Sequence, residues 1–229
     1  MKSGLWVAAA IGSLLLAAPA TAQGVKIGIL NDQSGVYADY GGKNSVEAAR
    51  MAIEDFGGTV LGQKIELVTA DHQNKPDLAT SIARRWYEVE GVDMITELTT
   101  SSVALAVQEL SREKKKIDIV VGAASSRLTG DACTPYGFHW AFDTHALAVG
   151  TGGALVKAGG DSWFFLTADY AFGYSLEKDT TEIVTANGGK VLGSVRIPLN
   201  SSDFSSFLLQ AQSSNAQIVG LANAGLDTT

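Results

Sequence analysis

Three polar stretches follow directly on apolar runs: Asn31-Asp32-Gln33-Ser34-Gly35, Thr99-Thr100-Ser101-Ser102 and Ala123-Ala124-Ser125-Ser126. The second places four consecutive hydroxyls ahead of a helical pattern, and the third adds two more. A helix start leaves backbone N–H groups without intrahelical partners, and Ser or Thr side chains set further donors beside them. Donors aimed at one point hold a small anion without a lysine or arginine. A cap needs one hydroxyl, so the surplus points to binding. The chemistry these residue types predict is the capture of a small carboxylate.

Aromatic residues stand at the same ends of the apolar runs. Tyr37 and Tyr40 follow the first run, and Tyr170, Phe172 and Tyr174 follow a later one. Their glycine-containing surroundings mark them as pocket walls rather than core. Asp32, Asp71 and Asp169 also end apolar runs, where an acid is above all a turn former. His72, His139 and His145 lack metal-ligand spacing, and HExxH is absent. There is no GxxxxGK[ST] phosphate loop and no GxSxG elbow, and Gly150-Thr151-Gly152-Gly153 falls inside a helical pattern. Cys133 has no base near it in sequence. The residues therefore predict a binding protein with no cofactor, no metal and no catalytic group.

These turns need elements to hold them. Apolar runs at 25–31, 64–70, 92–98, 117–122, 138–142, 162–168, 190–197 and 216–222 read as strands. Most are continuous rather than alternating, as in parallel strands covered on both faces. Helical periods lie between them. Val46, Ala49, Ile53 and Phe56 share one stripe, with Arg50 and Glu54 as an exposed pair. Leu78, Ile82, Trp86 and Val89 share another, entered at Pro76 and stopped at Gly91. Further helical patterns cover 101–115, 144–160, 176–189 and 202–215. Repeated β-α-β units make parallel sheets with right-handed crossovers, and ligands of such sheets bind beyond the C-terminal strand ends. The turns at Pro135 and the fresh unit beginning at Asp161 divide the pattern into an N-terminal α/β lobe at 23–141 and a second lobe at 142–229. The second has three strands and reads as incomplete.

Composition narrows the setting. The net charge of -7 and the absence of a basic stripe exclude nucleic acid as a partner. Lys114, Lys115 and Lys116 end a helix, where its dipole favours cations. Residues 1–22 have the charged, apolar, small-residue order of a signal peptide, with Ala20-Thr21-Ala22 as the cleavage site. The expected product is periplasmic, without stable membrane insertion. A single cysteine forms no internal disulfide, so the core alone must stabilise it.

The motifs "SGVYADYG", "ELTTSSVALAV", "GAASSRLTG" and "DYAFGYSLEKDTTEIVTANGG", in that order, resemble the leucine/isoleucine/valine-binding family of periplasmic solute receptors. The resemblance implies the type I periplasmic-binding fold, with a ligand cleft between two lobes, and delivery of a small carboxylate to the membrane permease of an ABC importer. It places ligand contacts at Thr100, Ser101, Ala123 and Ser125, an aromatic at Tyr40, and contacts near Asn223 and Ala224. Tyr170 and Phe172 would line the second lobe; Phe172 stands where leucine receptors have tyrosine. Where those receptors carry a disulfide, this chain has Asn74 and Thr99. Family chains are longer, so the resemblance implies a fragment or a truncated product. Its branch includes receptors for aromatic acids, which leaves amino acid and aromatic acid both open. A ligand-sensing ectodomain of a signalling receptor is the alternative, since that fold is reused there.

Overall fold

The computed structural model describes residues 24–228, and the expected leader with its cleavage site lies outside the described residues. The first lobe opens with β1 (Lys26–Asn31), α1 (Gly42–Asp55), a hairpin of β2 (Thr59–Val60) and β3 (Gln63–Lys64), and β4 (Glu66–Asp71). It continues through α2 (Pro76–Arg85), β5 (Met94–Glu97), α3 (Ser101–Lys114), β6 (Ile117–Val120) and β7 (Gly137–His139). Five of these strands form one parallel sheet in the order β4-β1-β5-β6-β7. Two short helices, α4 (Thr144–Leu147) and α5 (Gly153–Lys157), lead to the second lobe. There β8 (Ser162–Ala168), α6 (Ala171–Ala186), β9 (Lys190–Ile197), α7 (Ser205–Ser213) and β10 (Ile218–Ala222) build a parallel sheet ordered β10-β8-β9.

Burial explains this layering. In the first lobe Leu30, Ile95 and Val120 from the strands, with Leu98 just beyond β5, meet Trp86, Val103 and Val107 from the helices in one closed core. Each such side chain removed from water contributes roughly 1.5–3 kcal/mol. In the second lobe β8 alternates. Trp163 and Phe165 pack with Val156 and Val184 on one face, while Phe164 and Leu166 pack with Ile197 and Ala211 on the other. A central strand covered on both faces has to be apolar throughout, which is why 162–168 reads as a continuous run.

Several local expectations change. The helix from Pro76 ends in a π-helical turn, Trp86–Glu90, before Gly91 at φ 70°. The extra residue in that turn swings Val89 out to 76% exposure and brings Tyr87 inward. Phe56 ends α1 as its C-cap and is exposed, so the stripe on α1 stops at Ile53. Arg50 pairs with Glu47 rather than Glu54. The β2–β3 hairpin interrupts the expected strand at Lys64, because Leu61 and Gly62 take positive φ and turn the chain. Finally, α6 begins at Ala171 rather than 176, so Phe172 and Tyr174 stand on its first turn and not in a loop.

Candidate functional site

The C-terminal ends of β1, β5, β6, β8 and β10 meet around a cavity of about 300 Å³ between the lobes. Tyr40, Ser101 and Ala123 line it from the first lobe, and Tyr170, Phe172, Asn223 and Ala224 from the second. The wall also includes Tyr37, Thr99, Phe142, Leu147 and Leu176. Tyr37 is one of the two aromatics that the sequence offers as pocket walls after the first apolar run, and it lines this cavity. Phe142 and Leu147 fall in the segment between the sheets, where periodicity assigns them to a strand and a helix and carries no sign of the cavity.

Thr100 and Ser125 are not in the wall. Both are buried, and their hydroxyls differ in use. Thr100 is the N-cap residue of α3 yet makes no cap bond, and its Oγ1 has no hydrogen-bond partner among the described residues. A buried unpaired hydroxyl costs free energy, which a ligand acceptor would recover. Ser125 Oγ instead pairs with Ser175 Oγ at 2.6 Å across the lobes and accepts from the Arg127 amide.

The remaining hydroxyls of this run also serve tertiary links rather than caps. Thr99 Oγ1 accepts from the Asp32 amide, Ser101 Oγ from the Ser125 amide, and Ser102 Oγ from the Ala171 amide at the start of α6. The surplus over capping is thus real, but much of it joins loops and lobes. Thr144 extends the pattern, donating to Asp179 and accepting from the Ser126 amide.

Two carboxylates shape the turn after β1. Asp71 accepts from the Gln33 amide, the Ser34 hydroxyl and the Gln73 amide, none of which belongs to a cavity-lining residue. Those bonds outweigh its partial burial and hold its carboxyl below the ordinary range. Asp32, fully buried, accepts from the Gly35 and Tyr37 amides and from Asn74 Nδ2. Asn74 and Thr99, the positions of the disulfide in the leucine receptors, are therefore both bonded to Asp32. His72 beside them is held neutral, because burial pushes its imidazole down to about 4.

At the second-lobe rim, Asn223 donates to the Asp227 carbonyl and accepts from Thr228, which orders its own turn. Tyr174 faces away from the cavity, donates to Asp169 and lies under the Arg196 guanidinium. A larger, more open groove of about 880 Å³ runs alongside. Its charges are already committed: Arg127 pairs with Asp131, Lys178 with Glu182, and Asp179 receives Thr144. The smaller cavity has aromatic walls and, in Thr99 and Ser101, the two neighbours of the unpaired Thr100 hydroxyl, which is the pattern of a solute site.

A family model described as periplasmic binding protein matches residues 24–229. The chain belongs to the periplasmic binding protein family. Among curated relatives, Leu/Ile/Val-binding protein homolog 6 of Brucella abortus (strain 2308) is 27% identical over 218 residues, covering 95% of this chain and 55% of the relative. The crystal structure of a periplasmic binding protein from Burkholderia mallei superimposes with a TM-score of 0.87 at 60% identity, over 89% of this chain and 54% of that one. An ABC transporter solute-binding protein from R. palustris in complex with 4-hydroxybenzoate matches with a TM-score of 0.79 at 27% identity, over 89% and 55%. The chain thus spans about 55% of the length of the curated relative. Family and fold are those of solute-binding proteins, with two parallel-sheet lobes around a cleft. Among the described residues no helix is long and apolar enough to cross a membrane, and no group of three or more His, Cys, Asp or Glu side chains is placed to hold a metal.

Proposed function

We propose that this chain is the periplasmic solute receptor of an ABC uptake system, that it holds a small aromatic carboxylate between its lobes (residues 23–141 and 142–229), and that it presents the carboxylate to the membrane permease. The observation that carries this reading is the cavity wall. Tyr37 and Tyr40 face Tyr170 and Phe172 across the lobe boundary, Phe142 from the segment between the sheets joins them, and no lysine, arginine, aspartate or glutamate stands in that wall among the described residues. Aromatic pairs at 6.2 and 6.0 Å between Tyr37, Tyr170 and Phe172 leave edges and faces for a further ring.

In this reading the carboxylate sits at the N-terminus of α3. The first-turn N–H groups and the unpaired Thr100 hydroxyl stabilise it, helped by the helix dipole. Hydrogen bonds to a charged group contribute roughly 1.5–3 kcal/mol each, against about 8 kcal/mol for micromolar binding. Tyr40, Ser101, Ala123, Asn223 and Ala224 shape the rest of the site, while Ser125 acts on the lobes rather than on the solute. The R. palustris neighbour, solved with 4-hydroxybenzoate, supports the aromatic class.

A branched aliphatic amino acid is the second reading, favoured by the name of the Brucella relative and by Leu147 and Leu176 in the wall. Calorimetry with 4-hydroxybenzoate and leucine as paired titrants separates the two. Leucine binding with no response to 4-hydroxybenzoate would replace the aromatic reading.

A further inference from the structure

We propose that Asp32 is the positioning residue of the solute cavity: its carboxylate sets where Tyr37 stands, and its amide sets where Thr99 stands. This rests on the reading of the interlobe cavity as the solute site. Asp32 touches no cavity space itself and acts through the two residues that do.

The geometry is specific. Asp32 Oδ1 accepts from the Gly35 amide at 2.8 Å, and Oδ2 accepts from the Tyr37 amide at 3.0 Å and from Asn74 Nδ2 at 2.6 Å. The Asp32 amide donates to Thr99 Oγ1 at 3.3 Å. Asp32 therefore joins the turns after β1 and β4 through its buried carboxylate, and its amide ties them to the turn after β5. The carboxylate faces three N–H donors and no cation, and donors of this kind stabilise a buried charge only while all of them stay aimed at it. The arrangement is consequently rigid, and Tyr37 takes its position from it. The consequence lies on the opposite lobe, because the Tyr37 hydroxyl meets the Tyr170 hydroxyl at 2.5 Å.

An isosteric amide cannot replace this carboxylate. In Asp32→Asn the oxygen can serve either the Gly35 amide or the pair formed by Tyr37 and Asn74, and the new NH2 then confronts the donors on the other side. Asp71→Asn is the control. Asp71 grips the same turn through Gln33 and Ser34 but makes no bond to Tyr37 or Thr99. If Asp32 merely ordered the turn, the two variants would behave alike.

The experiment is run on the full chain with two readouts. The first is hydrogen exchange at the Tyr37 amide without solute, which is expected to rise about tenfold or more in Asp32→Asn relative to Asp71→Asn. The second is the ratio of 4-hydroxybenzoate to benzoate affinity by calorimetry. It is expected to fall about threefold or more in Asp32→Asn, the value of one neutral hydrogen bond, and to hold within about twofold in Asp71→Asn. Equal effects of the two variants, or an unchanged ratio in Asp32→Asn, would overturn the proposal. If neither probe binds the wild type, the aromatic reading fails, and exchange at Tyr37 alone decides the role of Asp32. Should Asp32→Asn not fold, Asn74→Gly removes the 2.6 Å tie at a position whose φ of 56° glycine accepts, and the same signs at smaller size are expected. No change there would overturn the proposal as well.

Discussion

The hydroxyls of Tyr37 and Tyr170 lie 2.5 Å apart although the residues belong to opposite lobes. Burial pushes the Tyr37 phenol up to about 12 and raises the Tyr170 phenol further, so both carry their protons at neutral pH. One phenol donates to the other, and the second proton remains for a solute or a solvent molecule. The pair therefore closes the lobes and forms part of the cavity wall at once.

Tyr37→Phe removes that bond and keeps the ring. Affinity for 4-hydroxybenzoate is expected to fall about threefold to tenfold, the range of one neutral hydrogen bond, with a smaller loss for benzoate. Calorimetry on both acids checks this; equal losses would mean that the pair serves closure alone.

Thr100 and Ser125 separate in the same assay. Thr100→Ala is expected to weaken carboxylate binding about tenfold or more, since it deletes a donor to a charged group. Methylating the ligand's carboxylate should then cost the variant less than the wild type. Ser125→Ala breaks the link to Ser175 and should retain the full penalty for methylation. Its effect should be read instead as a larger radius of gyration with ligand bound, by small-angle scattering.

Gly225 is constrained twice over. It holds φ at +62°, and an added Cβ would stand 2.9 Å from the Tyr37 ring. A left-handed conformation costs an L residue roughly 1–2 kcal/mol, before any displacement of the ring. Gly225→Ala is expected to weaken 4-hydroxybenzoate binding by about tenfold, with Tyr37 displaced. A variant that binds as tightly as wild type would show that this turn yields freely.

Asp118 gives stability a pH dependence. The side chain is buried in the first lobe, and desolvation pushes its carboxyl up to about 7 against a smaller opposing pull from the Ser111 hydroxyl. Between about 4 and 7 the folded chain keeps a proton that the unfolded chain has lost, so stability falls as pH rises through that window. The full effect is on the order of a few kcal/mol. His72, lowered to about 4, contributes in the opposite sense. The difference between Asp118→Asn and wild type isolates Asp118, and the melting-temperature advantage of the variant should grow from pH 4 to pH 8. A constant difference would show that Asp118 is ionised throughout.

The alternation of strands and helices, the turns that carry the site, and the lack of catalytic motifs were legible in the sequence, because they follow from local period and residue type. The strands 162–168 and 190–197 match residue for residue, since β8 is buried on both faces and β9 packs beside it. Thr100 and Ser101 open α3 just after β5, and Tyr40 stands in the turn between β1 and α1. Hydroxyl use was not legible. Ser125 meets Ser175 fifty residues away, and Ser102 meets Ala171 sixty-nine away. Nothing in a run of Thr and Ser says whether a hydroxyl caps its helix, joins a lobe or waits for a ligand. That choice depends on which loop the other lobe brings to within 3 Å. For the same reason Asp32 reads in sequence as a turn former, and only the folded chain shows that its turn spans three strands and sets Tyr37 against Tyr170.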